Sequence, residues 1–133
     1  MKANKFCVFL DAGHGGIDAK KKLPFNYTTY PSKCFQHNNA KFHGYGWFFE
    51  GVFNREVAAK IEQYLKDWGI SVINVYDPVI DVSLTKRVAK ANINAQNYEA
   101  SLYLSIHGNA AGSTAARGFE VFTSIGQTKA DIY

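Results

Sequence analysis

The stretch Phe6-Cys7-Val8-Phe9-Leu10-Asp11-Ala12-Gly13-His14-Gly15-Gly16 decides how the rest of the chain is read. Five apolar residues run without interruption and then give way to an acid, an alanine and a glycine-rich turn. A strand with one wet face alternates apolar and polar residues. An unbroken run fits a strand covered on both faces, as in a parallel sheet between helices.

Working outward, similar runs recur. Ile70 to Tyr76 is rich in β-branched residues and stops at Asp77-Pro78, Leu102 to Ile106 stops at His107-Gly108, and Phe119 to Thr123 follows Gly118. Each is predicted as a strand. Between them lie helical patterns. Phe53, Val57, Ile61, Leu65 and Trp68 repeat every three or four residues, with Gly69 placed to end the helix. Ser83 is positioned to cap a second helix whose apolar stripe is Leu84, Val88, Ala91 and Ala95. The order strand, long loop, helix, strand, helix, strand, strand predicts an α/β fold with a mostly parallel sheet flanked by helices.

The first connection is long. Residues 17–49 carry Pro24, Pro31 and nine aromatics, among them Tyr27, Tyr30, Tyr45 and Trp47. Loops of this length are commonly functional or disordered, and the aromatic content argues against disorder. The aromatics could form a wall for sugar or peptide, or a satellite core beneath the loop.

The 133 residues suffice for one domain with a real core. With 47% hydrophobic and 20% charged residues, the composition is that of an ordinary globular chain. No apolar run approaches the roughly 20 residues that a membrane span needs, and Met1 to Lys5 lacks the apolar core of a signal peptide. The net charge of +4 and pI near 9.0 give mild attraction to anionic polymers. Much of it sits in Lys20, Lys21 and Lys22, with no basic helix or aromatic-basic strand beside it, which argues against nucleic acid as partner. Cys7, inside an apolar run, reads as a free buried thiol; Cys34 could pair with it only if the fold brought the two together.

Two histidines hold equivalent places in this layout: His14 follows the first strand and His107 the third. Ligands of open α/β sheets bind at the carboxyl ends of the strands, so parallel strands would put both on one rim. Glu50 opens the first helix, and a right-handed crossover returns that helix start to the same rim. Two imidazoles and a carboxylate form the ligand set of a catalytic zinc, which leaves a fourth position open. On the residues alone, Glu50 could equally stabilise a helix start, and either histidine could be a satisfied loop residue. The separations of 36 and 57 residues match no short zinc motif.

The blocks taken together narrow this. Val8 to Gly16, Glu50 to Asn54, Ser83 to Arg87 with Ala91-Asn92, and Ser105 to Asn109 resemble, in order, the zinc-dependent N-acetylmuramoyl-L-alanine amidases of peptidoglycan. The resemblance covers nearly the whole chain outside the aromatic loop. It implies an α/β domain with Zn2+ held by His14, Glu50 and His107. It also implies hydrolysis of the amide between N-acetylmuramic acid and L-alanine at the bacterial cell wall; with no signal peptide at Met1 to Lys5, the expected source is a phage lysin or a fragment of a secreted protein. The family's general base is a late glutamate, expected beyond Tyr133, so the chain reads as truncated before it. The alternative is a zinc-containing peptidoglycan-binding module without turnover. Glu120 reads as part of the fourth strand and not as the base.

Other residues carry two readings each. Asn109 could donate to substrate or serve a turn. Asp11 and Asn54 could orient ligands, or belong to a sheet-end turn and a helix surface. His37 and His43 are expected to be solvated or locally hydrogen-bonded. A phosphate-binding role for Gly13-His14-Gly15-Gly16 is disfavoured, because such loops run directly into a helix and this one does not.

Overall fold

The computed structural model describes residues 4–37, 43, 45–110, 115–123 and 125. Strand β1 (Asn4–Ala12) is followed by a short antiparallel pair, β2 (Cys34–Gln36) and β3 (Trp47–Phe49). Helix α1 (Glu50–Asp67), strand β4 (Ser71–Asn74), helix α2 (Leu84–Ala95) and strand β5 (Tyr98–Ile106) follow. The sheet order is β4-β1-β5, and both pairings are parallel. This is the α/β architecture expected, with the opening apolar run as the central strand.

The two faces of β1 explain its unbroken hydrophobicity. Cys7 and Phe9 pack with Val75 and Ala91 of α2, while Leu10 and Ala12 pack with Ala58 of α1. Successive side chains of a strand point to opposite faces, so the two helices cover opposite sides of the sheet. Cys7 is buried and free, and Cys34 is also free.

Three expectations require correction. In α1 the deeply buried positions are Gly51, Asn54 and Ala58, whereas Phe53 and Trp68 are exposed. Ile61 of the expected stripe packs on the core, but at its N-terminal end the helix lies too close to the β1 loop for a side chain at Gly51. A Cβ on Gly51 would stand 2.0 Å from the Gly15 carbonyl oxygen. In α2 the buried positions are Arg87 and Ala91, whereas Leu84 and Val88 are exposed. Asp11 lies on that face of β1 with no exposure, and it needs the Arg87 guanidinium more than the helix needs leucine. Ser83 does sit at the N-cap of α2, but its hydroxyl makes no capping bond.

Phe119 to Thr123, expected as a strand, pairs with no strand among the described residues. Phe119, Val121 and Phe122 are 91%, 78% and 82% exposed. Apolar composition favours a strand only where a neighbouring edge supplies the ladder. Among the described residues, none is hydrogen-bonded to this segment as a strand.

The end of α1 follows the expected pattern. Gly69 takes φ +73°, its N–H donates to the Lys66 carbonyl, and the Ile70 N–H donates to the Leu65 carbonyl. That pairing is a Schellman close, and it favours glycine at the left-handed position. Among the described residues, no helix is long and apolar enough to cross a membrane.

Candidate metal centre

The parallel register brings the two histidines together. Ala12 pairs with Ile106, and the Gly13 N–H donates to the Ile106 carbonyl, so β1 and β5 run side by side up to His14 and His107. The imidazole rings meet edge to face with centroids 5.0 Å apart. Gly13 makes this possible, since a Cβ there would lie 2.2 Å from Cε1 of His107.

Glu50 arrives from the third direction, as the first residue of α1. Its backbone N–H donates to the Lys33 carbonyl, and the next N–H, of Gly51, donates to the buried Tyr27 hydroxyl. Both would otherwise be orphan donors of a helix start. Tyr27 stacks on Phe49, and Trp47 stacks on Phe49 in turn. The aromatics of the long loop therefore build a satellite core that holds the start of α1. Tyr30 joins it edge-on to Trp47, while Tyr45 is 90% exposed.

Glu50 Oε1 lies 3.2 Å from His14 Nε2 and 3.2 Å from His107 Nδ1, and it accepts the Gly108 N–H at 3.1 Å. One ligand atom from each side chain lies within 4.8 Å of the others. Donors about 2.0–2.1 Å from a tetrahedral ion stand roughly 3.3 Å apart, so the Glu50 contacts have the spacing of a metal's ligand set. His14 Nε2 supplies a further test. It is buried, and its approach to Glu50 lacks hydrogen-bond geometry, leaving it without a partner. A buried polar atom in that state is costly unless another group meets it. Burial pushes the His14 imidazole below its ordinary pKa and His107 adds to this, against an opposing pull from Glu50. The neutral ring thus favoured is the form that ligates metals. The residues present fit a divalent ion with nitrogen and oxygen ligands.

His14 itself takes φ +64°, a left-handed conformation uncommon outside glycine. The surrounding hydrogen bonds hold it. Asn54 Nδ2 donates to the Gly13 carbonyl, Arg55 Nη2 donates to the His14 carbonyl, and the Gly15 N–H donates to Thr29 Oγ1. Asn54 is fully buried, so it is not a helix-surface residue. Asp11 is neither a ligand partner nor a turn residue. Its carboxylate accepts from Arg87, Tyr103 and Ser105 within the sheet-helix layer.

The match to known families decides the assignment. A family model described as N-acetylmuramoyl-L-alanine amidase covers residues 8–132. The chain belongs to that family. No curated protein and no solved structure matches it. Membership makes the chain a peptidoglycan amidase, with its substrate in the bacterial cell wall.

The remaining expected residues of the amidase fall elsewhere. His43 is locally bonded, its Nδ1 accepting the Phe49 N–H and its Nε2 lying 3.7 Å from Glu56. His37 is exposed on the loop. Asn109 Nδ2 donates to Glu120 Oε2 at 2.8 Å, on the exposed segment after β5. Three supporting groups were not singled out from sequence: Arg55, the Tyr27 hydroxyl and Thr29. Their bonds to the Gly15, Gly51 and His14 main chain span 14 to 41 residues, and no local motif announces such bonds.

Proposed function

We propose that the chain hydrolyses the amide joining N-acetylmuramic acid to L-alanine, using zinc held by His14, Glu50 and His107. The observation that carries this reading is the buried, unpartnered His14 Nε2, 3.2 Å from the Glu50 oxygen that His107 also approaches. A bound zinc would supply Lewis acidity toward the amide carbonyl and toward water.

The chain's own residues set the approach. The His14 and Glu50 side chains are 17% and 10% exposed and that of His107 is 47% exposed, so substrate enters from the His107 side. Asn109, two residues further on, is the proposed substrate donor. Its bond to Glu120 would be exchanged for one to the glycan or the peptide. Glu50 is read as a ligand and not as the general base, because its Oε1 faces both imidazoles at 3.2 Å and accepts the Gly108 N–H.

The test is zinc content measured beside turnover of a muramoyl-L-alanyl peptide, read as release of the alanine amino group. One zinc per chain, lost in His14→Ala, Glu50→Ala and His107→Ala together with turnover, is the expected result. Zinc without turnover in the wild type would turn the reading into a binding module. Zinc absent, or indifferent to all three substitutions, would sink it.

A further inference from the structure

Outside the ligand set, one cation has an unusual set of partners. Arg55 lies one turn along α1 from Gly51, and each of its hydrogen bonds ends on a main-chain carbonyl. Nη1 donates to Gly51 at 2.9 Å. Nη2 donates to His14 at 2.8 Å and to Asp77 at 2.6 Å. Nε is shared between Asp77 at 3.2 Å and Pro78 at 3.1 Å. The guanidinium carbon stands 5.2 Å over the ring of Tyr76. Three separate segments therefore meet on one planar ion: the His14 turn, the start of α1 and the turn after β4.

Two of those carbonyls bear directly on the candidate centre. One belongs to His14, and the other to Gly51, the neighbour of Glu50. We infer that Arg55 is a positioning residue that fixes the separation of His14 from Glu50, and so tunes metal affinity without touching metal or substrate. The inference rests on the zinc reading above.

Arginine suits this place by its shape. A guanidinium offers five donors in a rigid plane, and four diverging carbonyls use that fork. A lysine ammonium is a single point and cannot reach the same set together. The left-handed backbone of His14 makes the clamp necessary, since such a conformation persists only where its surroundings over-determine it. The neighbourhood leaves little slack on this side, because a Cβ on Gly16 would lie 2.0 Å from the Pro78 carbonyl oxygen and 3.2 Å from Arg55 Nε.

The experiment compares wild type, Arg55→Lys and Arg55→Ala in the full chain. Co2+ and Zn2+ affinities are read by competition with a chelator, the visible absorption of bound Co2+ reports coordination geometry, and metal-free thermal unfolding serves as control. Affinity in Arg55→Lys is expected to fall about tenfold or more, the range for groups that hold ligands in place. The Co2+ bands should also change, with the metal-free melting temperature nearly kept. Wild-type affinity and spectrum in Arg55→Lys would overturn the inference and leave the zinc reading standing. A wild type that binds neither ion would remove the zinc reading, and this inference with it. An Arg55→Lys protein that fails to fold without metal would also overturn it, because Arg55 would then hold the fold and not the ligand spacing.

Discussion

A methyl group on Gly13 would press on a movable ring and not on backbone, for the atoms it meets belong to the imidazole of His107. Gly13→Ala should therefore leave the fold nearly intact while displacing one candidate ligand. The expected outcome is a melting temperature close to wild type with zinc affinity reduced by at least about tenfold, checked by calorimetry beside a metal titration. Unchanged affinity would mean that His107 has room the structure does not show. At this scale the sequence was most informative where chemistry and punctuation coincide. His14 and His107 each end an apolar run and stand beside glycine, so the shared rim could be read from the chain. Arg55 could not, because an arginine on a helix looks like a solvated charge until the turns that surround it are placed.

Helices and strands carry a second kind of information: which face is buried. The apolar periodicity located both helices and caught part of each buried face, Ile61 in α1 and Ala91 with Ala95 in α2, while missing the rest. Gly51 and Asn54 in α1 and Arg87 in α2 offer little or no apolar side chain, yet close approach and a buried acid select them. Arg87 donates to Asp11 Oδ1 at 2.7 Å, and the Tyr103 and Ser105 hydroxyls donate to Oδ2. Burial, then the bond to Asp11, pushes the Tyr103 phenol well above its ordinary pKa, so it stays a donor. Arg87→Met would strand a fully buried carboxylate and should cost about 3–5 kcal/mol, measured by urea unfolding. A loss below about 1 kcal/mol would contradict the burial of this pair. The junction of α1 and β4 gives a pH prediction. Hydrogen bonds from Asn74 first and Lys66 second lower the Glu62 carboxyl below its ordinary value near 4.5. A depressed acid stabilises the fold above its unfolded pKa and loses that contribution as pH falls through the folded one. Glu62→Gln should accordingly lower stability at neutral pH and flatten the fall in stability below about pH 4.5, as read from unfolding midpoints across pH.

For the whole molecule, element order and parallel pairing were legible because each apolar run ended at a turn signal and each helix had its own period. The segment 119–123 was misread for the opposite reason. A strand is a relation between two edges, and composition describes one. The core clusters lie along both faces of β1, formed by residues outside the ligand set. Removing metal should therefore leave the far-ultraviolet circular dichroism nearly unchanged and lower only the melting temperature. Mass action sets that drop, about 2.7 kcal/mol of stabilisation being lost where zinc had been present at a hundred times its dissociation constant. Collapse of the helical signal on chelation would instead make the ion part of the folding nucleus.

The stacking of Trp47 on Phe49, next in sequence to Glu50, has an optical consequence. The chain holds two tryptophans, and the other, Trp68, is 78% exposed at the far end of α1. Their emission should separate by colour, a shorter-wavelength component from the half-buried indole and a longer-wavelength one from the solvated indole. Light from the first samples the aromatic stack at the mouth of α1, while the second serves as an internal reference. The wild-type protein thus carries its own ratiometric reporter of events at Glu50, with no dye attached.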